Sequence, residues 1–395
     1  MIVNKGHGNI YVGQGCTNEA LGAIYEDAGG PRCVLLISDA AVDISRMLVM
    51  DFRGMVQVHC EKEPTYDYLE TVIKNIRFLN DRSKFDMIIG IGGGSALDLT
   101  KAIAVLINNK KRALDFRGFD RVQERKVKTL LIPTTLSGSE ATNNASFLDT
   151  EEKRKLGING RHMFPDYVIL DEDWLVDEGT RAWTSTVLDA LTHAFESSIC
   201  KQFNSFTNSY SNTSLVLLMS YLKGGDVSRT ELQIAAFKAA RALCNSGSGI
   251  AGALSYALGS LYGVPHGIAG GIFIPYVMEY NGYPAEAEVD RYLKAKKISR
   301  NLVDYGVESL DDLTEYIKGL QGAFDQNPIP FDAEKDGKIL LQKHWRPIDG
   351  GKTTKHDKEA DSGSARPQRT RTNNQQGEPS GPEDSWEDLS GDGTE

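Results

Sequence analysis

The stretch "FDMIIGIGGGSALDLTKAIAVLIN", residues 85–108, decides the fold. It opens with a near-continuous apolar run, which is typical of a strand buried on both faces of a parallel sheet. Gly92, Gly93 and Gly94 follow, and Ser95 is predicted to be the N-cap of a helix over the remaining residues. Glycines let the backbone approach a ligand, and the N–H groups of a helix start favour an anion, so the turn predicts a phosphate or pyrophosphate site. A tight turn without a ligand is the alternative interpretation.

Similar apolar runs lie on either side of this stretch. "RCVLLIS" (32–38) and "VKTLLIPTT" (127–135) are predicted strands, and residues 66–80 are a predicted helix. This alternation of strand and helix predicts a Rossmann-like, doubly wound α/β domain over residues 1–177.

The apolar spacing becomes helical from about residue 178, so residues 178–331 are predicted to form an all-α domain. Beyond them the composition changes again. From Gly351 to Glu395 the only large apolar residues are Trp386 and Leu389. Such a segment buries too little surface to offset its ordering entropy, and residues 332–395 are predicted to be a disordered, low-complexity tail.

Composition excludes several classes of protein. The formal net charge of -10 argues against nucleic-acid binding, which normally requires a basic surface. No apolar stretch reaches the ~20 residues of a membrane span, and the N-terminus lacks the pattern of a secretion signal. The five cysteines are scattered without a CxxC pair, which suits reduced thiols. These features predict a cytoplasmic protein with no membrane partner.

Polar residues follow two of the predicted strands at the sheet edge where open α/β folds bind ligands. Thr134 and Thr135 can bind ribose or phosphate oxygens, or can satisfy backbone groups in a turn. Asp39 follows the "RCVLLIS" strand, where a carboxylate accepts hydrogen bonds from an adenosine ribose and repels a 2′-phosphate. This position favours NAD over NADP, and a helix cap is the alternative.

The stretch "DALTHAFES", residues 189–197, sets Asp189 and His193 four positions apart in a helical pattern. Residues at i and i+4 lie on one face of a helix, where two side chains can bind one ion. A solvated or core pair without a metal is the alternative interpretation.

Five motifs in order resemble the iron-containing (group III) alcohol dehydrogenases of the dehydroquinate-synthase-like fold. They are "GGGSALDLTK", "PTTLSGSEAT", "FPDYVILD", "DALTHAFES" and "GVPHGIAGGIFIPYVMEYN". The resemblance covers residues 8–325. It implies an NAD(H)-dependent alcohol dehydrogenase or aldehyde reductase, which transfers a hydride between nicotinamide and a small polar alcohol or aldehyde. The substrate would lie in a cleft between the nucleotide domain and a helical domain that holds a divalent metal, Fe²⁺ or Zn²⁺.

The resemblance also implies roles for single residues. It assigns Asp39 to the adenosine ribose, Gly94 and Ser95 to the pyrophosphate, Thr134 and Thr135 to the phosphates and inner ribose, and Lys155 to the nicotinamide side. Asp189, His193 and His266 match metal ligands of the family. The loop after Thr135 is a residue shorter than the commoner family form.

Two departures affect the metal site. Gly252 stands where the family usually carries a further histidine ligand, and Tyr256 stands where many relatives have another active-site histidine. Three ligands and water can still complete a coordination sphere. Without a metal, His266 and Tyr256 would polarise the carbonyl and deliver the proton.

The alternative is a catalytically impaired relative that keeps the nucleotide domain and a degenerate metal site. The changed C-terminus would also leave apolar surface on the helical domain. Another chain would then cover this surface, as in a homodimer, or the surface would lower the stability of the domain.

Overall fold

A six-stranded parallel sheet forms the centre of the N-terminal half, with strand order β1-β9-β6-β4-β2-β3. The computed structural model describes residues 8–39, 42–47, 54–55, 64–82, 84–123, 127–284 and 286–346. The strands are β1 Asn9–Val12, β2 Val34–Ser38, β3 Gly54–Met55, β4 Met87–Gly92, β5 Gly118–Phe119, β6 Lys128–Pro133, β7 Asn144–Asp149, β8 Arg154–Asn159 and β9 Tyr167–Leu170. Every residue of β2 and β4 is buried, which explains their continuous apolar sequences and confirms the predicted parallel α/β sheet.

The helices are α1 Thr17–Asp27, α2 Tyr66–Arg82, α3 Gly94–Leu106, α4 Arg181–Ile199, α5 Ser205–Leu222, α6 Arg229–Ser246, α7 Ile250–Tyr262, α8 His266–Tyr280, α9 Glu286–Ala295, α10 Asp311–Lys318, α11 Gln321–Phe324 and α12 Asp336–His344. The part of the chain after β9 is helical, as predicted. None of the helices that the structure describes is long and apolar enough for a bilayer crossing.

The register of the sheet brings three strand ends together. Ser38 at the end of β2 pairs with Ile91, and Gly92 at the end of β4 pairs with Pro133 of β6. The residues that follow these strands therefore meet at one edge, which is where open parallel sheets bind ligands.

A second, three-stranded sheet has the order β5-β8-β7, with β7 and β8 forming an antiparallel hairpin. The sequence analysis predicted a simple alternation of strand and helix here and missed this hairpin. Three consecutive residues of β7 are buried but only Ile158 of β8 is, so the two strands share neither a continuous buried run nor a regular alternation that would mark a hairpin.

The helical half has one continuous hydrophobic core, which includes apolar residues of α4, α7 and α8. Glycines bring α8 unusually close to α4. A Cβ atom placed on Gly267 would lie 1.8 Å from the Ser185 carbonyl oxygen, and one on Gly271 would lie 2.7 Å from a Leu188 methyl carbon. Only glycine permits this contact between the two helices.

The sequence analysis placed the start of the disordered tail too early in the chain. Phe331 is buried, and α12 within residues 332–346 buries Leu340 and Leu341 against the helical core. These residues pack because they bring enough apolar surface to offset the entropy of ordering a short helix. The rest of the predicted tail, residues 347–395, lies outside the described residues.

Candidate functional site

Three polar side chains converge where α4 meets the start of α8. Asp189 and His193 lie one turn apart on α4, and His266 is the first residue of α8. The Nε2 atoms of His193 and His266 lie 3.5 Å and 3.8 Å from Asp189 Oδ1. One ligand atom from each of the three residues lies within 4.8 Å of the other two. The close packing of α8 on α4 produces this convergence.

This donor set fits a zinc or ferrous ion. Ligands of one tetrahedral ion with bonds of ~2.1 Å lie roughly 3.4 Å from one another, which is near the observed separations. Burial, with the neighbouring Lys155 and His193, holds the pKa of His266 well below its usual range. His266 is therefore neutral at pH 7 and offers a lone pair, as a metal ligand must.

The Ser255 hydroxyl lies between the Gly252 carbonyl and the ring of His266. It donates to the Gly252 carbonyl oxygen at 2.5 Å, and its oxygen lies 2.8 Å from His266 Nδ1 and 3.2 Å from Nε2. Ser255 therefore holds the His266 ring at the start of α8, with Nε2 3.8 Å from Asp189 Oδ1.

Other groups fill the space around Gly252, the position where the resemblance implies a further histidine ligand. A Cβ atom placed on Gly252 would lie 2.4 Å from Ser248 Oγ and 2.9 Å from Glu196 Oε2. The Glu196 carboxylate accepts hydrogen bonds from the backbone N–H groups of Gly249, Ala251 and Gly252. It thus caps the first turn of α7, where Gly249 supplies no side-chain cap.

Glu196 was missed in the sequence analysis. It is buried, and burial raises its pKa to about 7 despite the backbone hydrogen bonds that favour its ionised form. The available signal was its spacing, because it lies seven residues after Asp189 and hence on the same face of α4.

Tyr256 lies against His266, with ring centroids 4.8 Å apart. Burial raises the pKa of its phenol, so the phenol stays protonated at neutral pH and can donate a hydrogen bond. Lys155 of β8 places its Nζ atom 5.7 Å from the centre of the same ring. The structure therefore brings Lys155, Tyr256 and His266 together.

The glycine turn has a different cap from the one expected. The N-cap of α3 is Gly93, and the helix begins at Gly94, so the prediction of Ser95 as N-cap is wrong. Asp39 Oδ2 accepts a hydrogen bond from the Gly93 N–H at 2.6 Å, which holds Gly93 in the extended cap conformation without a side chain of its own. Burial raises the pKa of Asp39. Its contact with an adenosine ribose stays a prediction.

The threonines after β6 lie beside this turn but differ in orientation. Thr134 is buried, and its N–H donates to the Gly92 carbonyl oxygen at 2.9 Å. Thr135 faces the glycines, since its γ-methyl carbon would lie 3.5 Å from a Cβ atom on Gly93. Ser137 lies similarly close to Gly94 and hydrogen bonds to Thr135. Of these hydroxyls, Thr135 and Ser137 are the better placed to meet a ligand at the turn.

Polar contacts join α3 to the loop after β6 and to β7. Asp98, one turn into α3, accepts hydrogen bonds from the Ser139 hydroxyl at 2.5 Å and the Ser146 N–H at 2.8 Å. Lys101, which is 1% exposed, forms an ion pair with Asp98 at 3.0 Å. The β7–β8 hairpin packs against α3 through β7 and against α7 through β8. It therefore lies between the helix that follows the glycine turn and the helix that carries Tyr256.

Known proteins resemble this chain along most of its length. The iron-containing alcohol dehydrogenase family model matches residues 8–172, and the C-terminal model of the Fe-containing alcohol dehydrogenase family matches residues 183–326. Lactaldehyde reductase of Escherichia coli K12 is 31% identical over 218 residues, which is 53% of this chain and 57% of that protein. NAD-dependent methanol dehydrogenase of Bacillus methanolicus is 30% identical over 203 residues, 50% of this chain and 53% of that protein. The chain thus spans about half the length of these curated relatives.

The fold is also shared with solved structures. The crystal structure of 1,3-propanediol oxidoreductase superposes with a TM-score of 0.76 at 21% identity, covering 87% of this chain and 100% of that one.

Proposed function

Because this chain belongs to the iron-containing alcohol dehydrogenase family, we propose that it is an NAD(H)-dependent alcohol dehydrogenase or aldehyde reductase acting on a small polar substrate. The observation that carries the proposal is the convergence of Asp189, His193 and His266 within 4.8 Å. Two imidazoles and a carboxylate form a donor set suited to zinc or ferrous iron, with open positions for water or substrate.

Each group of the site has a task in this reaction. Asp189, His193 and His266 would hold the divalent ion, and the N–H groups at the start of α3 would bind the pyrophosphate of NAD(H). The ion would supply Lewis-acid polarisation of the substrate oxygen, and the nicotinamide would supply or accept the hydride. Tyr256, a neutral phenol beside His266, exchanges the proton on that oxygen. Asp39 selects NAD over NADP because its carboxylate repels a 2′-phosphate.

The proposal is tested by stripping the protein with a chelator, reloading it with Fe²⁺ or Zn²⁺, and following NADH oxidation with a panel of small aldehydes. We expect turnover that depends on the added ion, and weaker turnover with NADPH. Absence of both NADH binding and turnover under all these conditions would reject the proposal.

Gly252 favours one alternative, a nucleotide-binding relative with a degenerate metal site. Losing one imidazole weakens ion binding, and the tightly packed Glu196 and Ser248 leave little room for a replacement side chain. NADH binding with neither ion binding nor turnover would support this alternative.

A further inference from the structure

A cavity of about 160 Å³ opens beside the proposed catalytic residues. Its walls include Arg154 and Lys155 of β8, Tyr256 of α7, and Tyr316 and Gly319 at the end of α10. Among the described residues that line it, there are two cations and no carboxylate.

The cavity adjoins the reaction site through Tyr256. One side of the Tyr256 ring packs 4.8 Å from the His266 ring, and Lys155 Nζ lies 5.7 Å from the same ring. A small molecule whose reacting carbon lies at His266 therefore has its other end within reach of this cavity.

Arg154 is held at the cavity by its neighbours. Its guanidinium carbon lies 5.8 Å from the centre of the Tyr316 ring, within the range of a cation–π contact. A Cβ atom on Gly319 would lie 3.3 Å and 3.5 Å from two guanidinium nitrogens, so the bare backbone there makes room for the group. Arg154 is otherwise exposed, so its guanidinium is open to a ligand while these two neighbours restrict where it lies.

The charge of the cavity contrasts with that of the protein. The chain carries a formal net charge of -10, yet this recess next to the reaction site is lined by two cations. Cationic recesses with apolar walls concentrate anions, and a guanidinium binds carboxylate or sulfonate oxygens through paired hydrogen bonds. An uncharged group at the far end of the substrate would gain neither from the positive charge of the cavity nor from the paired hydrogen bonds of the guanidinium.

We infer that the substrate carries an anionic group, a carboxylate or sulfonate, which binds in this cavity at Arg154 and Lys155. The inference rests on the proposed function and narrows its substrate class from small polar aldehydes to small acidic aldehydes.

The test compares succinic semialdehyde with its methyl ester, a neutral aldehyde of the same chain length in which the carboxylate is masked. We expect the wild-type kcat/KM to favour the acidic aldehyde by about tenfold or more, the size of a charge-assisted contact. Arg154→Gln removes most of that preference, and Arg154→Lys retains part of it. The matched control is Arg112→Gln, because Arg112 is an exposed arginine paired only loosely with Asp115 at 4.0 Å and does not line the cavity.

Three outcomes overturn the inference. One is a wild-type enzyme that prefers the neutral aldehyde, and another is an Arg154→Gln variant with an unchanged preference. The third is an Arg154→Gln variant whose KM for NADH rises while its preference for the acidic aldehyde stays the same. That result would mean that Arg154 and Lys155 bind the cofactor rather than the substrate.

If no aldehyde is turned over, the proposed function fails but the anion site is still tested by succinate binding to the metal-loaded protein. Succinate binding that weakens about tenfold in Arg154→Gln, and not in Arg112→Gln, supports the site. Equal affinity in the wild type and Arg154→Gln overturns it.

Discussion

Ser255 and His266 are joined by a hydrogen bond of 2.8 Å between the serine hydroxyl and ring Nδ1, while ring Nε2 lies 3.8 Å from Asp189 Oδ1. The same Ser255 hydroxyl donates to the carbonyl oxygen of Gly252 in α7. A residue of α7 thus orients a proposed metal ligand at the start of α8.

Ser255→Ala is expected to lower the affinity for Zn²⁺ by about tenfold to a hundredfold, as removal of a group that orients a metal ligand usually does. Chelator competition measures this affinity, and Ser255→Thr, which keeps the hydroxyl, should restore part of it. Ser214→Ala is the control, because Ser214 is a buried helical serine that donates to the Ala235 carbonyl rather than to a ligand. Equal losses of Zn²⁺ affinity in the Ser255→Ala and Ser214→Ala variants would contradict the role of Ser255.

Gly252→His is expected to destabilise the fold rather than restore a fourth ligand. Its Cβ atom would meet Ser248 Oγ and the Glu196 carboxylate, which three backbone N–H groups hold in place. Overpacking of this kind costs about 1–3 kcal/mol. Denaturant unfolding of the metal-free protein measures the change.

Gly22→Ala gives the matched comparison, since Gly22 lies inside α1 with no atom within 4 Å of its would-be Cβ. This variant should gain up to ~1 kcal/mol from helix propensity. A Gly252→His protein that is more stable than the wild type and binds Zn²⁺ more tightly would contradict the prediction. It would show that Ser248 and Glu196 can move to accommodate the new side chain.

The stability of the metal-free protein should fall as pH rises from about 4.5 to about 7. Burial raises the pKa of Glu196 from 4.5 to about 7, so the folded state favours the protonated carboxyl more than the unfolded state does. The stabilising effect is complete below pH 4.5 and is lost as pH rises through the folded-state pKa. Glu140, whose pKa burial also raises to about 7, contributes in the same direction.

The check is the free energy of unfolding at several pH values in the wild type, Glu196→Gln and Glu140→Gln. Each variant should show a smaller decline than the wild type, because one titrating group has been removed. A decline of the same size in Glu196→Gln would assign the pH dependence to other groups.

Tyr256→Phe should lower kcat by roughly a hundredfold, the effect of removing a proton-transfer group. The ring remains to pack against His266, so the Zn²⁺ content should stay near the wild-type level. Steady-state kinetics and elemental analysis of the same preparation separate the two effects. A Tyr256→Phe enzyme with unchanged kcat would exclude the phenol from proton transfer.

The sequence carried enough information for the sheet and the glycine turn, but not for their details. The buried runs around residues 34–38 and 87–92 have no polar face, so a parallel strand was the simplest explanation. The N-cap at Gly93 could not be predicted because it depends on Asp39, which lies 54 residues away in the chain. The β7–β8 hairpin and α12 were missed because tertiary burial, rather than local pattern, stabilises them.

The candidate site was predictable only through the resemblance. A carboxylate and an imidazole four residues apart are common on helix surfaces, and no local pattern connects them to His266, 73 residues after His193. Ser255 and Glu196 were missed since their roles depend on contacts between helices. An isolated serine or glutamate within a helical pattern gives no sign of them.

The glycine contact between α8 and α4 has a consequence for metal exchange. Since bare backbone sets the distance between the two helices, helix packing rather than an ion fixes the spacing of Asp189, His193 and His266. A spacing fixed in this way needs little rearrangement when an ion binds, so an ion should enter and leave without partial unfolding. Different divalent ions would then compete for the same rigid frame, and their supply in the cell would decide which one the protein carries.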